Sequence, residues 1–335
     1  MKKLVLASVF LAIIVIVLGA YTRLSDAGLG CPDWPGCYGN LVVPSQADKV
    51  NAAEQAFPER PLEAFKAWVE MVHRYFAGIL GLLILAIAVV SVRKRLGGFE
   101  SVQSPVKLPL FILILVIGQA ALGMWTVTMN LMPVVVMGHL LGGFTILSLL
   151  FLLLLRLRNS AHATPSFYQH DTFSKGFRKL AAFAIVVLVA QIALGGWTSA
   201  NYAALACTQL PVCEGEWASK LDFANAFSVP EAENYEYGKH GYEGRMTIHI
   251  THRIGAIITF LYLGWLASTL YRKAASNTVK HISAVVLAVL IVQVLLGISN
   301  VVYKLPIVVA VLHNAVAAIL LLSLVALNYN LFRKT

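Results

Sequence analysis

Eight long apolar runs divide this chain, at about 4–22, 68–92, 108–128, 133–155, 179–199, 247–270, 281–302 and 306–331. Each is near the roughly 20 residues that a helix needs to cross a bilayer. A backbone in hydrocarbon must satisfy its own hydrogen bonds, so runs of this kind are expected to be helices. The rest of the composition agrees. Hydrophobic residues make up 59% of the chain and charged residues 13%. Soluble domains carry about 25% charged residues, so this chain lacks the polar surface to stay dissolved. The expectation is an all-α integral membrane protein with eight transmembrane helices, its sides in contact with the lipid bilayer.

The net charge of +10 is distributed by side. Basic residues gather in alternate connections: Arg93, Lys94 and Arg95; then Arg156, Arg158, Lys175, Arg178 and Lys179; then Arg272, Lys273 and Lys280. Lys2 and Lys3 stand at one end, Arg333 and Lys334 at the other. By the positive-inside rule all of these are cytoplasmic, both termini included, in a multi-pass protein of the cell (inner) membrane. The remaining connections are neutral or acidic. Charge sided in this way is a topology signal, and no nucleic-acid footprint is expected. Met1-Lys2-Lys3 with the apolar run behind it resembles a signal peptide, but no clear small-x-small cleavage site follows. It is read as the first span.

Displaced by about 176 residues, the sequence matches itself. Leu18-Gly19-Ala20-Tyr21-Thr22 falls on Leu194-Gly195-Gly196-Trp197-Thr198. Cys31 and Cys37 fall on Cys207 and Cys213, His73-Arg74 on His252-Arg253, and His139 on His313. Gln119, Leu122 and Gly123 fall on Gln293, Leu296 and Gly297. Each copy holds four spans, so both enter the membrane in the same direction. The expected organisation is two tandem, pseudo-symmetric four-helix bundles, residues 1–160 and 161–335.

The repeat puts two histidines in each half at one depth, roughly 9 Å below the outer ends of their helices. Ionisable side chains within a span are costly and face the bundle interior. A histidine that only hydrogen-bonds neighbouring helices is the plain alternative. Two per half, in duplicate, suggest a ligand instead. Zinc sites take three or four protein ligands, and di-iron bundles take several glutamates. A haem iron needs only two axial ligands. Two bis-histidine haem sites are therefore expected: His73 with His139, and His252 with His313. Arg74 and Arg253 either meet haem propionates or snorkel to the interface. No Cys-x-x-Cys-His motif occurs, so covalent haem attachment is not expected. His162, His170, His240 and His281 are expected in loops, without a role.

One mismatch within the repeat is informative. Glu70 stands three residues before His73, where His249 stands before His252. That spacing puts each on the face of its histidine. Glu70 is either an acid that favours the helix dipole or a carboxylate that moves protons. The cysteines form two Cys-x5-Cys turns on the outer side, where disulfides persist. Cys31–Cys37 and Cys207–Cys213 are the natural pairings, as staples or as exchanging disulfides. Gln119, Gln191 and Gln293 each precede a Leu-Gly pair, with Val15 at the matching place in the first span. They are read as interhelical hydrogen bonds beside small packing residues, with a haem contact as the alternative.

Taken together, these residues resemble the haem A synthase family of cytochrome oxidase assembly, over the whole chain. The carriers are Gly30-Cys31-Pro32-Asp33-Trp34-Pro35-Gly36-Cys37, Glu70-Met71-Val72-His73-Arg74, Gly138-His139, Thr251-His252-Arg253 and Leu312-His313-Asn314. The resemblance implies that the N-terminal half binds haem O through His73 and His139, with Glu70 as the catalytic carboxylate. It implies a haem b on His252 and His313. The implied reaction turns the C8 methyl of haem O into the formyl group of haem A through hydroxylated intermediates. A haem O synthase would supply substrate, and an electron-transfer partner is implied but not identified; a homo-oligomer is left open. Rival readings are a di-haem b-type electron carrier and a haem transporter or chaperone. The electron carrier does not account for Glu70 opposite His249 or for the outer cysteine turns.

Overall fold

The structure is a computed structural model that describes residues 1–98, 105–159, 173 and 175–332. His162, His170, Arg333 and Lys334 lie outside the described residues. In chain order the helices are α1 (Lys2–Leu24), α2 (Ala47–Ala56), α3 (Ala64–Leu96), α4 (Lys107–Thr128), α5 (Pro133–Asn159), α6 (Lys175–Ala200), α7 (Phe223–Ala226), α8 (Tyr242–Lys273), α9 (Asn277–Val302) and α10 (Ile307–Phe332). All of them except α2 and α7 are long and apolar enough to cross a membrane, which makes eight spans. Several outrun their apolar stretch. α3 and α8 continue past the hydrocarbon-length segment at both ends, because a helix does not stop where its residues turn polar. His281 is a correction of the same kind. It lies on α9 rather than in a loop, because the Ser276 side chain accepts from the Val279 N–H and starts the helix earlier.

α1 packs against α3 and α5, and α4 packs against the same two helices. α6 and α9 are related to α8 and α10 in the same way. Across the middle, α1 meets α10, and α5 meets α6 and α10. The apolar core is concentrated toward the end of the bundle where α1 begins. Val5, Ile84, Leu147, Leu150, Leu153, Leu263, Leu270 and Leu324 belong to one continuous cluster drawn from both halves of the chain. His73, His139, His252 and His313 lie toward the opposite end, where separate smaller clusters lie under the loops.

The α4–α5 turn places Asn130 and Leu131 in the left-handed region, as Lys304 and Leu305 do in the α9–α10 turn. Leu131 N–H donates to Thr126 O at 2.8 Å, and Leu305 N–H to Asn300 O at 2.7 Å, so both turns close on the helix before them. Loop crossings knit this end together. Tyr235 N–H donates to Asn130 O at 2.9 Å, and Arg60 Nη1 to Leu29 O at 3.2 Å. At the end of α1, Arg23 Nη2 donates to Ser199 O at 2.6 Å, with its guanidinium 4.0 Å from the centre of the Tyr202 ring.

The first cysteine loop sits directly on α3. A Cβ on Gly30 would lie 2.5 Å from the Lys66 carbonyl carbon and 2.7 Å from Ala67 N. Gly30→Ala is therefore expected to cost about 1–3 kcal/mol by overpacking, read as a lowered denaturation midpoint in detergent. Gly118→Ala, whose Cβ meets nothing within 4 Å, serves as the control. Equal midpoints for the two variants would contradict the close approach.

His240, expected as an ordinary loop residue, is buried just before α8, and its Nε2 has no hydrogen-bond partner. Burial holds its pKa below the usual imidazole range, with the positive charge of Arg245 adding and Asp222 opposing. The unfolded chain then takes up this proton more readily than the folded one, so the stability it contributes is lost as pH falls below about 6.5. Thermal midpoints measured between about pH 7 and pH 5 should fall less in His240→Gln than in the wild type. Identical pH slopes would rule this out.

Candidate functional site

The His73 and His139 rings, on α3 and α5, lie with centroids 6.5 Å apart and planes at 81°. An imidazole–metal bond is about 2 Å long, so two rings on opposite sides of one metal ion sit at about this separation. Each ring rests against a glycine of a neighbouring helix. A Cβ on Gly19 of α1 would lie 2.9 Å from His73 Cε1, and one on Gly123 of α4 would lie 3.1 Å from His139 Cε1. His252 and His313 have the same kind of platform in Gly195 of α6 and Gly297 of α9, at 3.1 and 3.2 Å. The next residue, Gly196, packs on Met137 and Leu140, which flank His139. The first and second histidine sets therefore lie at one level of the bundle.

The three glutamines do form interhelical hydrogen bonds, and their partners are the histidines. Gln119 Nε2 lies 3.0 Å from His139 Nδ1, and Gln191 Nε2 lies 3.0 Å from His252 Nδ1. Both amides also donate to the main-chain carbonyl of their histidine. Gln293 Nε2 reaches His313 Nε2 at 3.3 Å. Val15 offers His73 no such group, and His73 Nδ1 is buried without a partner. Sequence spacing carried this signal: each glutamine precedes its platform glycine by four residues, one helical turn.

Among the described residues no group of three or more His, Cys, Asp or Glu side chains comes together to hold a metal ion. The donor sets are pairs of imidazoles. Second hydrogen bonds of the kind that Gln119 and Gln191 make orient metal-bound histidines and fix their tautomer. A histidine bound through Nε2 carries its proton on Nδ1 and needs an acceptor there. Gln191 Oε1 is buried without a partner, and a half-turn of that carboxamide presents such an acceptor to His252 in exchange for its bond to the His252 carbonyl. The residues present thus fit a group that takes two axial nitrogens and fills the bundle between them.

Glu70 lies one turn outward from His73 and is 4% exposed. Its Oε2 accepts from the Cys31 N–H at 2.9 Å, and its Oε1 is paired with Arg74. Arg74 also donates to the carbonyls of Asp33, at 2.9 Å, and of Gly36. In the second half Arg253 does the same, donating to Gln209 O at 2.7 Å and to Cys207 O at 2.8 Å. Both arginines thus grip the cysteine loops, a role that the sequence alone did not reveal. Cys31 and Cys37 are at bonding distance, with Cα atoms 4.8 Å apart; so are Cys207 and Cys213, at 4.9 Å. The carboxylate between arginine and loop is peculiar to the first half. His249, in the matching place, is 5% exposed, and its Nδ1 has no partner.

This difference can be measured. Arg74→Ala leaves a buried carboxylate without its counter-charge and is expected to cost about 3–5 kcal/mol. Arg253→Ala removes hydrogen bonds to carbonyls alone, at about 1–3 kcal/mol. Denaturation of both variants in one detergent gives the comparison, and equal losses would mean that the Glu70 pairing adds nothing.

The chain matches the family described as "Cytochrome oxidase assembly protein" (COX15-CtaA) over residues 2–325. It is 52% identical over 325 residues to a protein of Shewanella oneidensis named "Heme A synthase", covering 96% of this chain and 94% of that one. Proteins of the same name from Mesorhizobium japonicum and Granulibacter bethesdensis are 25% and 26% identical, covering 91% and 96% of this chain and 83% and 84% of their own lengths. With its eight apolar helices, this chain is a multi-pass membrane protein and belongs to the COX15-CtaA family of cytochrome oxidase assembly proteins.

Proposed function

We propose that this chain makes haem A, oxidising the C8 methyl of haem O to a formyl group through hydroxylated intermediates. The observation that carries the reading is its 52% identity, over 96% of its length, to a protein named for that synthesis. The chain divides into two working halves, 1–160 and 161–335, an organisation supported by the way α1, α3, α4 and α5 pack around one another and α6, α8, α9 and α10 do likewise. His73 and His139 hold the substrate haem, as their 6.5 Å separation allows. His252 and His313 hold a resident haem b, which supplies one-electron chemistry when bound.

The protein's own groups do the rest. Turning a methyl into a formyl group adds an oxygen atom, taken here from water, and releases protons and electrons in steps. Glu70 is the carboxylate within one helical turn of the substrate ligand, and it takes up those protons. Arg74 and the Cys31 N–H fix where its two oxygens point. The platform glycines bring helix backbone against the imidazoles and fix where the rings sit. Arg74 and Arg253 place positive charge at the outer rim, where haem propionates would meet it. Both termini lie on the cytoplasmic side of the inner membrane and the cysteine loops on the outer side, as the sided basic residues support. A haem O synthase delivers the substrate, and a separate redox partner takes the electrons.

Haem extraction with chromatography and mass analysis tests this. The wild-type protein should yield haem O, a hydroxylated haem or haem A along with haem b. Glu70→Ala should lower conversion by about 10²–10⁴-fold, the usual range for a lost proton-transfer group, while still binding haem. His73→Ala should abolish conversion, and His252→Ala should leave the first site able to bind. Haem b alone, with haem A formation unchanged after Glu70→Ala, would sink the proposal. If His252→Ala empties both sites, the division of labour is wrong.

A further inference from the structure

We propose that the first site pairs one firmly held imidazole, His139, with one releasable imidazole, His73, and that Val15 and Phe76 set the difference. The inference rests on the assignment of His73 and His139 as ligands of the substrate haem.

Three positions recur around each of the four rings. One is the platform glycine already described. The second is the residue four before that glycine: Val15, Gln119, Gln191 or Gln293. The third is the residue three after the histidine: Phe76, Gly142, Gly255 or Val316. The second and third positions go together. At His139 and His252 the carboxamide reaches Nδ1 at 3.0 Å, and the third position is glycine. That glycine is needed, because a Cβ on Gly142 would collide with Gln119 Oε1, and one on Gly255 with Gln191 Oε1. At His313 the third residue is Val316, the contact with Gln293 lengthens to 3.3 Å on the other ring nitrogen, and Nδ1 is left unpartnered. At His73 the third residue is Phe76 and the second is Val15. The Val15 side chain offers no donor or acceptor, and Nδ1 is left without a hydrogen-bond partner.

A hydrogen bond from the second ring nitrogen holds a ligating imidazole in orientation and strengthens it as a base. His73 lacks that bond and meets no glutamine on either nitrogen, so it is the weaker ligand of the first site and the freer to turn away. The arrangement suits the two tasks. A resident haem is kept, and each of its histidines has a glutamine against one ring nitrogen, Nδ1 at His252 and Nε2 at His313. A substrate haem has to enter and its product has to leave, and the ligand without glutamine belongs to that site. His139 keeps the haem oriented while His73 lets go.

The test is haem transfer from the purified holoprotein to excess apomyoglobin, followed by absorbance, with the low-spin to high-spin ratio of the bound haem read by electron paramagnetic resonance. Wild type should show a fast phase from the first site and a slow phase from the second. Val15→Gln with Phe76→Gly should slow the fast phase by about 10–100-fold, the usual effect of a second hydrogen bond on a metal-bound histidine. It should also lower the high-spin fraction and leave the slow phase unchanged. Gln119→Val should speed the fast phase by a similar factor, and retention of the second haem reports that each variant is folded. Two phases that neither substitution moves would overturn the releasable-ligand proposal alone. A wild type with one phase, unchanged by His73→Ala, would instead overturn the assignment of a haem to the first site, and this inference with it.

Discussion

An imidazole among apolar helices must be held by something, and most of what is specific in this bundle answers that requirement. Each ring is received by a glycine that lets a neighbouring backbone come within van der Waals reach. Three of the four then meet a glutamine side chain. Two of those glutamines need a further glycine to fit. The small residues thus follow from the histidines as well as from general helix packing.

The outer loops answer a second requirement, that charge near the membrane be paired. Arg74 and Arg253 spend their donors on loop carbonyls, which holds each cysteine turn against the helix that carries the histidine. Met71 and Ile250 lie under those turns in apolar clusters with the cysteines. The same clamp is used twice with one exchange, a carboxylate for an imidazole. Glu70 is thereby an acid whose position is set from both sides, by a guanidinium and by a main-chain N–H.

Much of this was legible in the sequence. The eight spans follow from the solvent, since hydrocarbon permits few alternatives, and the histidine pairs follow from residues too costly to bury by accident. Helix ends were less legible. α3, α8 and α9 extend beyond their apolar runs because caps and turns, not lipid, end them. The partners of Gln119 and Gln191 were hidden because a glutamine on a helix face can bond any neighbour. The loop contacts of Arg74 and Arg253 were hidden for a related reason: these partners are carbonyls, and a carbonyl leaves no mark on a sequence. His240 looked like loop and proved buried, because a loop folded over a helix end makes an interior of its own.

The placement of the solid apolar core has an electrical consequence. Leucine and isoleucine fill the bundle at the end where α1 begins, while His73, His139, His252 and His313 lie at one level toward the other end, with Glu70, Arg74 and Arg253 beside them. A charge passed between the two histidine sets moves parallel to the membrane plane and crosses little of its thickness. Work done by a transmembrane potential scales with the share of the membrane that a charge traverses, so chemistry at this level is nearly indifferent to whether the membrane is energised.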